Sequence, residues 1–163
     1  MNSLNKAERL VFAAEKLVTT AEDHPKPKAK SWGGFTVMVE NPAGSVRTGK
    51  NGDGKPWRTE MKNDYGFIKG AIGADDEGLD VYLGPDENAE NAYIVHQDNP
   101  ETGEYDEDKV MLGFASPEEA KKAYLSHYDD PKFFGSMTTT PMTAFKRLYK
   151  SAMTKKSHYK EAA

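Results

Sequence analysis

Residues 62–85 read KNDYGFIKGAIGADDEGLDVYLGP. Two β-rich runs, DYGFI at 64–68 and LDVYLG at 79–84, flank the turn-forming GADDEG, which predicts a strand, a turn and a second strand. The six residues DDEGLD at 75–80 hold four acids. In extended backbone Asp75 and Glu77 project to the same side, and Asp80 reverses across the turn at Gly78. Two unit charges about 4 Å apart repel by about 4 kcal/mol at an effective dielectric of about 20. Converging carboxylates therefore call for a cation, and hard oxygen ligands suit Mg²⁺ or Mn²⁺. A solvated turn accounts for the same letters, because Asp and Gly are favoured there. Both readings stand on this stretch alone.

The flanking sequence extends the β pattern. FTVMVE (35–40), AYIVHQ (92–97) and DKVMLGF (108–114) are short and β-rich, and NPAGS, KNGDGK, GPDENAEN and DNPETGE separate them. Strands at this spacing predict a small barrel or sandwich. Trp32 and Trp57, each near glycine or proline, are expected to cover its ends. Residues 3–22 predict a helix, with Ala7, Leu10, Val11, Ala14, Leu17, Val18 and Ala21 on one stripe. HPKPKAK at 24–30 reads as a basic linker stiffened by proline. SPEEAKKAYLSHY opens a helix with Ser116 as cap, Pro117 at its first position and Glu119 closing a capping box. Thr140-Pro141 repeats that start signal ahead of MTAFKRLYKSAM, and the basic tail is expected to fray.

The 163 residues fit one domain with an added arm, and 37% apolar content permits a modest core. Charged residues reach 29%, yet the net charge is −4, so neither a basic nucleic-acid binder nor an acidic tail protein follows. The absence of cysteine excludes disulfides, thiolate metal sites and a cysteine nucleophile. The first segment is too interrupted by charge for a signal peptide, and no run of about 18 apolar residues exists. A cytoplasmic protein without a membrane partner is expected. His24, His96, His127 and His158 show no paired spacing for zinc, and no GxxxxGK[ST] or GxSxG occurs. His96 alternates within a strand and reads as structural. KNGDGK lacks a following ligand series and reads as a turn.

The 62–85 stretch resembles the signature region of family I soluble inorganic pyrophosphatases. In them an NYGYI-type strand leads into a D-x-D-P-x-D-V metal loop. Tyr65-Gly66-Phe67-Ile68 matches the first part and Asp75-Asp76-Glu77-Gly78-Leu79-Asp80-Val81 the second. QDNPETGEYDEDKVMLGF resembles the second acidic segment, with Asp98, Asp106 or Asp108, and Lys109 at matching positions. VMVENPAGSVR resembles the strand pair ending in a phosphate-binding arginine, which would be Arg47, with Arg58 as competitor. The blocks ENPAGS-R-G, YG-IKG--GAD, DV--GP and DE-KVMLGF occur in order, as in pyrophosphatase-like domains that phages and conjugative elements carry inside polyvalent proteins. The resemblance covers residues 34–150. The pattern departs at Glu77, where the family has aspartate, and at Gly78, where it has proline.

Together the strand pattern and the resemblance lead to an expected α+β fold. It is a small OB-like β-barrel of about five to seven short strands with C-terminal helices and an N-terminal helical arm. The expected divisions are 1–30 (helix and linker), 31–155 (pyrophosphatase-like domain) and 156–163 (tail). The resemblance implies metal-dependent hydrolysis of a phosphoanhydride, with pyrophosphate as substrate and two or more Mg²⁺ or Mn²⁺ ions. Asp75, Glu77, Asp80 and Asp106 or Asp108 would hold metal. Asp98 would bind an outer metal or orient the attacking water. Arg47, Lys109 and Tyr65 would grip phosphate, with Lys146 and Lys150 as further cations chosen on spacing. Nucleic acid is not expected as a partner. A homo-oligomer or protein partner through the N-terminal helix, and attachment to a virion, are carried as expectations. The competing reading is a catalytically degenerate relative that binds or builds rather than hydrolyses.

Overall fold

The computed structural model describes residues 26–72 and 78–149. The expected N-terminal helix, Asp75, Glu77, Lys150 and the C-terminal tail lie outside the described residues. The chain forms two compact units: Lys28–Arg47 with Thr59–Ala163, and Met1–Pro27 with Thr48–Arg58.

In the first unit, β1 (Lys28–Trp32) turns back into β2 (Phe35–Asn41) through Gly33 and Gly34. Their φ values of 56° and 91° are left-handed, a conformation glycine adopts without strain. β2 pairs with β5 (Asp64–Ile72), and β5 with β6 (Gly78–Leu83), both antiparallel. β8 (Tyr105–Leu112) then inserts between β6 and β7 (Asn91–Asp98), parallel to the first and antiparallel to the second. β9 (Phe134–Pro141) closes the order β1-β2-β5-β6-β8-β7-β9. The remaining strands, β3 (Val46–Lys50) and β4 (Pro56–Glu60), pair as a separate two-stranded hairpin. KNGDGK is its turn, as expected: Asn51 Oδ1 accepts the backbone N–H groups of Asp53 and Lys55 at 2.9 Å.

The α+β class holds, but no closed barrel is found. β1 and β9 are the two edges of an open seven-stranded sheet. Helices bury its faces instead. On one face Val37, Ile68, Leu79, Val81, Ile94, Val110 and Leu112 pack with Phe145 and Tyr149, which belong to or follow α2 (Met142–Leu148). On the other Tyr65, Tyr82, Tyr93, Val95 and Met111 pack with Ala120 and Tyr124 of α1 (Pro117–Leu125). With both faces covered, closure is not required to remove apolar surface from water. No helix among the described residues is long and apolar enough to cross a membrane.

Three local expectations change. The segment read as a linker already enters β1 at Lys28, because an edge strand tolerates exposed lysines. Thr140 and Pro141 end β9, and α2 starts directly behind Pro141 as expected, but without a side-chain cap bond. Trp57 packs on the hairpin's own Gly49, where a Cβ would overlap its ring. Trp32 is core, 4% exposed. The Ser116 cap holds: its Oγ accepts the Glu119 N–H at 3.1 Å.

Candidate active site

The α1-side face of the sheet carries three of the predicted residues on three adjacent strands. The register Phe67↔Asp80 in β5–β6, and Val81↔Val110 in β6–β8, sets Asp80 beside Lys109. Lys109 Nζ donates to Asp80 Oδ2 at 2.6 Å and to Tyr65 OH at 2.8 Å, and lies 3.4 Å from Glu107 Oε2. Tyr65 accepts from the lysine, so its own hydroxyl hydrogen remains able to donate. Arg47 stacks on the same ring, its Cζ 4.5 Å from the Tyr65 centroid, while Lys109 Nζ is 5.3 Å from it. One tyrosine thus seats two cations, both suited to phosphate oxygens. Gly66 makes the close packing behind it possible, since a Cβ there would overlap the Met38 carbonyl oxygen.

A β-bulge adds the acids. Gln97 pairs with Glu107, but Asp98 pairs with Tyr105, so Asp106 is an extra residue in β8. Strict alternation would send Asp106 and Glu107 to opposite faces; the inserted residue breaks that rule. Asp106 Oδ2 accepts from Gln97 Nε2 at 3.3 Å, and Gln97 Oε1 accepts from the Tyr124 hydroxyl at 2.6 Å. Glu107, Asp106, Asp80 and Lys109 form one electrostatic cluster.

Burial dominates the protonation of this cluster. It raises the Glu107 carboxyl to about 7; Lys109 opposes the rise, while Asp80 and Asp106 add repulsion and a bond to Asp80 adds to it. Burial works against the Lys109 and Arg47 charges. Their neighbours, led in each case by Tyr65 and including Asp80, outweigh that and raise both groups. Burial also raises Tyr65, Tyr82, Tyr124 and Tyr128. All four therefore keep their phenolic hydrogens near neutrality.

Other predicted residues lie apart. Asp108 is buried on the opposite face, 7% exposed, with Tyr105 and His96. The choice between Asp106 and Asp108 thus resolves toward Asp106 for membership of this cluster. His96 is 2% exposed with both ring nitrogens bonded, as a structural histidine would be. Asp98 ends β7 beside Gly135, where a Cβ would come 2.5 Å from its Oδ2. The hairpin turn after it is capped by Asn99, whose Oδ1 accepts the Glu101 N–H at 2.8 Å. Lys146 Nζ lies 5.6 Å over the Phe35 ring, on the α2 side. Arg58 belongs to the β4 half of the hairpin unit.

Sequence reasoning missed Glu107, Gln97 and Tyr128. Glu107 was legible by counting two residues back from Lys109 along a strand. Tyr128 was not: it follows α1 and reaches the site only through folding, where its hydroxyl is 3.0 Å from Tyr82 OH. The Gly78 departure has a physical cause, since a Cβ at that position would press on the Phe67 ring at 2.7 Å.

Among the described residues no group of three His, Asp or Glu side chains stands ready to hold a metal ion. The donor chemistry nevertheless fits a hard divalent cation. Asp80, Asp106 and Glu107 offer only carboxylate oxygens, and their mutual repulsion is what a bound cation would relieve.

No curated protein matches the chain. The crystal structure of an inorganic pyrophosphatase from Neisseria gonorrhoeae is similar, with 20% identity and a TM-score of 0.45, over 74% of this chain and 90% of that one. The family model for inorganic pyrophosphatase matches residues 19–150. That match spans well over half of the 163 residues and contains every strand described above, and on it the chain belongs to the inorganic pyrophosphatase family.

Proposed function

We propose that the protein hydrolyses inorganic pyrophosphate to two phosphates, using Mg²⁺ or Mn²⁺, on the face that holds Asp80 and Lys109. The observation that carries this reading is the Asp80–Lys109–Tyr65 cluster with Arg47 on the same ring, a cation pair facing carboxylates on adjacent strands. Arg47 and Lys109 bind phosphate oxygens, and the Tyr65 hydroxyl donates to one of them. Asp80, Asp106 and Glu107, together with Asp75 and Glu77 earlier in the sequence, would hold the ions. Bound there, two ions lower the pKa of a water and neutralise charge on the phosphates. Gln97 fixes Asp106 through its amide. The order of sequence blocks supports a phage or mobile-element setting, in the host cytoplasm or carried by a virion.

The alternative is a degenerate relative that binds phosphate compounds without turnover. Its support is that Lys109 already neutralises Asp80 and that, among the described residues, no three acids are gathered around one point. Phosphate release from pyrophosphate, with each metal, decides between them by comparing the protein with Asp80→Asn. Metal-dependent turnover that the variant loses supports hydrolysis. Folded protein with no turnover above the variant overturns it in favour of the binding relative.

A further inference from the structure

Behind the candidate site, on the α2 side of the sheet, four polar side chains form a chain across three strands. The Tyr105 hydroxyl donates to Asp108 Oδ1 at 2.8 Å. His96 Nδ1 lies 2.7 Å from the same oxygen, and His96 Nε2 lies 2.7 Å from Thr138 Oγ1. Tyr105 and Asp108 are on β8, His96 directly opposite on β7, and Thr138 on β9. Two of these groups are almost fully buried. A buried polar network is tolerated when fully bonded, and then it enforces one local arrangement.

Its position identifies that arrangement. Tyr105 and Asp108 are three residues apart, and in a regular strand they would face opposite ways. They meet because Asp106 is the extra residue of the bulge. Their hydrogen bond therefore bridges the bulge, and the two residues it encloses are Asp106 and Glu107, both turned toward Lys109 and Asp80. A bulge without such a tie could slide by one residue and return Asp106 to the buried side.

We propose that Tyr105, Asp108 and His96 are positioning residues that lock the β8 bulge and so hold Asp106 and Glu107 on the metal-binding face. Asp108 acts through the backbone and is not a ligand. The inference rests on the pyrophosphatase reading of that face.

The test uses the full chain and three variants: Tyr105→Phe, Asp108→Asn and Glu107→Gln. Mn²⁺ binding is read from the resonance signal of free Mn²⁺, alongside the thermal midpoint and the Mg²⁺ dependence of pyrophosphate hydrolysis. Tyr105→Phe removes only the bridging hydroxyl and should weaken Mn²⁺ binding about tenfold, the scale of a lost supporting contact. Half-saturating Mg²⁺ should rise by the same factor, with kcat at saturating metal held. Asp108→Asn should bind Mn²⁺ like the parent, because its amide oxygen accepts both bonds that Oδ1 accepts. Glu107→Gln should bind much more weakly. The proposal is overturned if Asp108→Asn is as damaged as Glu107→Gln, which would make Asp108 a ligand, or if Tyr105→Phe binds Mn²⁺ like the parent. A parent protein that binds no Mn²⁺ would instead remove the underlying reading, and the lock's role with it.

Discussion

Replacing Lys109 by methionine keeps the stem of the side chain and removes its charge. The ammonium makes two short bonds, 2.6 Å to Asp80 and 2.8 Å to Tyr65 OH. A hydrogen bond to a charged group contributes about 1.5–3 kcal/mol. Water can partly replace the lysine at Asp80, whose side chain is 22% exposed, but not at buried Tyr65. The net loss of stability should thus be about 2–3 kcal/mol rather than the sum of two full bonds. For a chain of this size that lowers the thermal midpoint by about 4–12 °C. On the proposed reading the same change also removes a phosphate ligand present in the ground and transition states. The kcat/KM for pyrophosphate should then fall about 10- to 100-fold, as about 1.4 kcal/mol corresponds to each tenfold step. Thermal unfolding and phosphate release on the same preparation check both figures. A midpoint within 1 °C of the parent (against the shift of about 4 °C or more expected), with unchanged kcat/KM, would refute the assignment of Lys109 as the hub of the site.

Two further predictions concern stability. His127 accepts the Lys62 N–H at Nε2 and donates from Nδ1 to the Ala123 carbonyl, and burial foremost lowers its pKa despite that second bond. The folded protein thus binds the proton less readily than the unfolded chain. Stability from this group is full above about pH 6.5 and declines as pH falls below it toward the lowered folded value; in denaturant titrations between pH 5 and 8 (the usual range of histidine charge change), the difference in stability between the parent and His127→Gln should follow this slope, the contribution of Glu107 being common to both. Gly66→Ala would drive a Cβ onto the backbone oxygen of Met38, which no rotamer relieves, so urea unfolding should show a loss of at least about 3 kcal/mol. Gly52→Ala, with open space around it, should be nearly neutral by the same measurement.

Period-two apolar runs announced β2, β5, β6, β7 and β8, because each buries one or both faces and must alternate or stay apolar to do so. The Ser116 start of α1 was equally plain, since a cap bond joins residues three apart and needs no distant partner. β1 and β9 were not legible. KAKSW and FGSMTTTP are edge strands with exposed lysines, glycine and threonines, and only pairing with β2 and β7 makes them strands.

The candidate site divides along the same line. Tyr65, Asp80 and Lys109 came from the family resemblance, whose motifs each lie within a single strand and so can be matched along the chain. Which strands adjoin is a tertiary matter, and β8 inserting between β6 and β7 is what joins Lys109 to Asp80. The choice of Asp106 over Asp108, and the part of Glu107, turn on one extra residue in β8. A bulge is defined only against the partner strand, so alternation along a single chain cannot reveal which face each acid occupies.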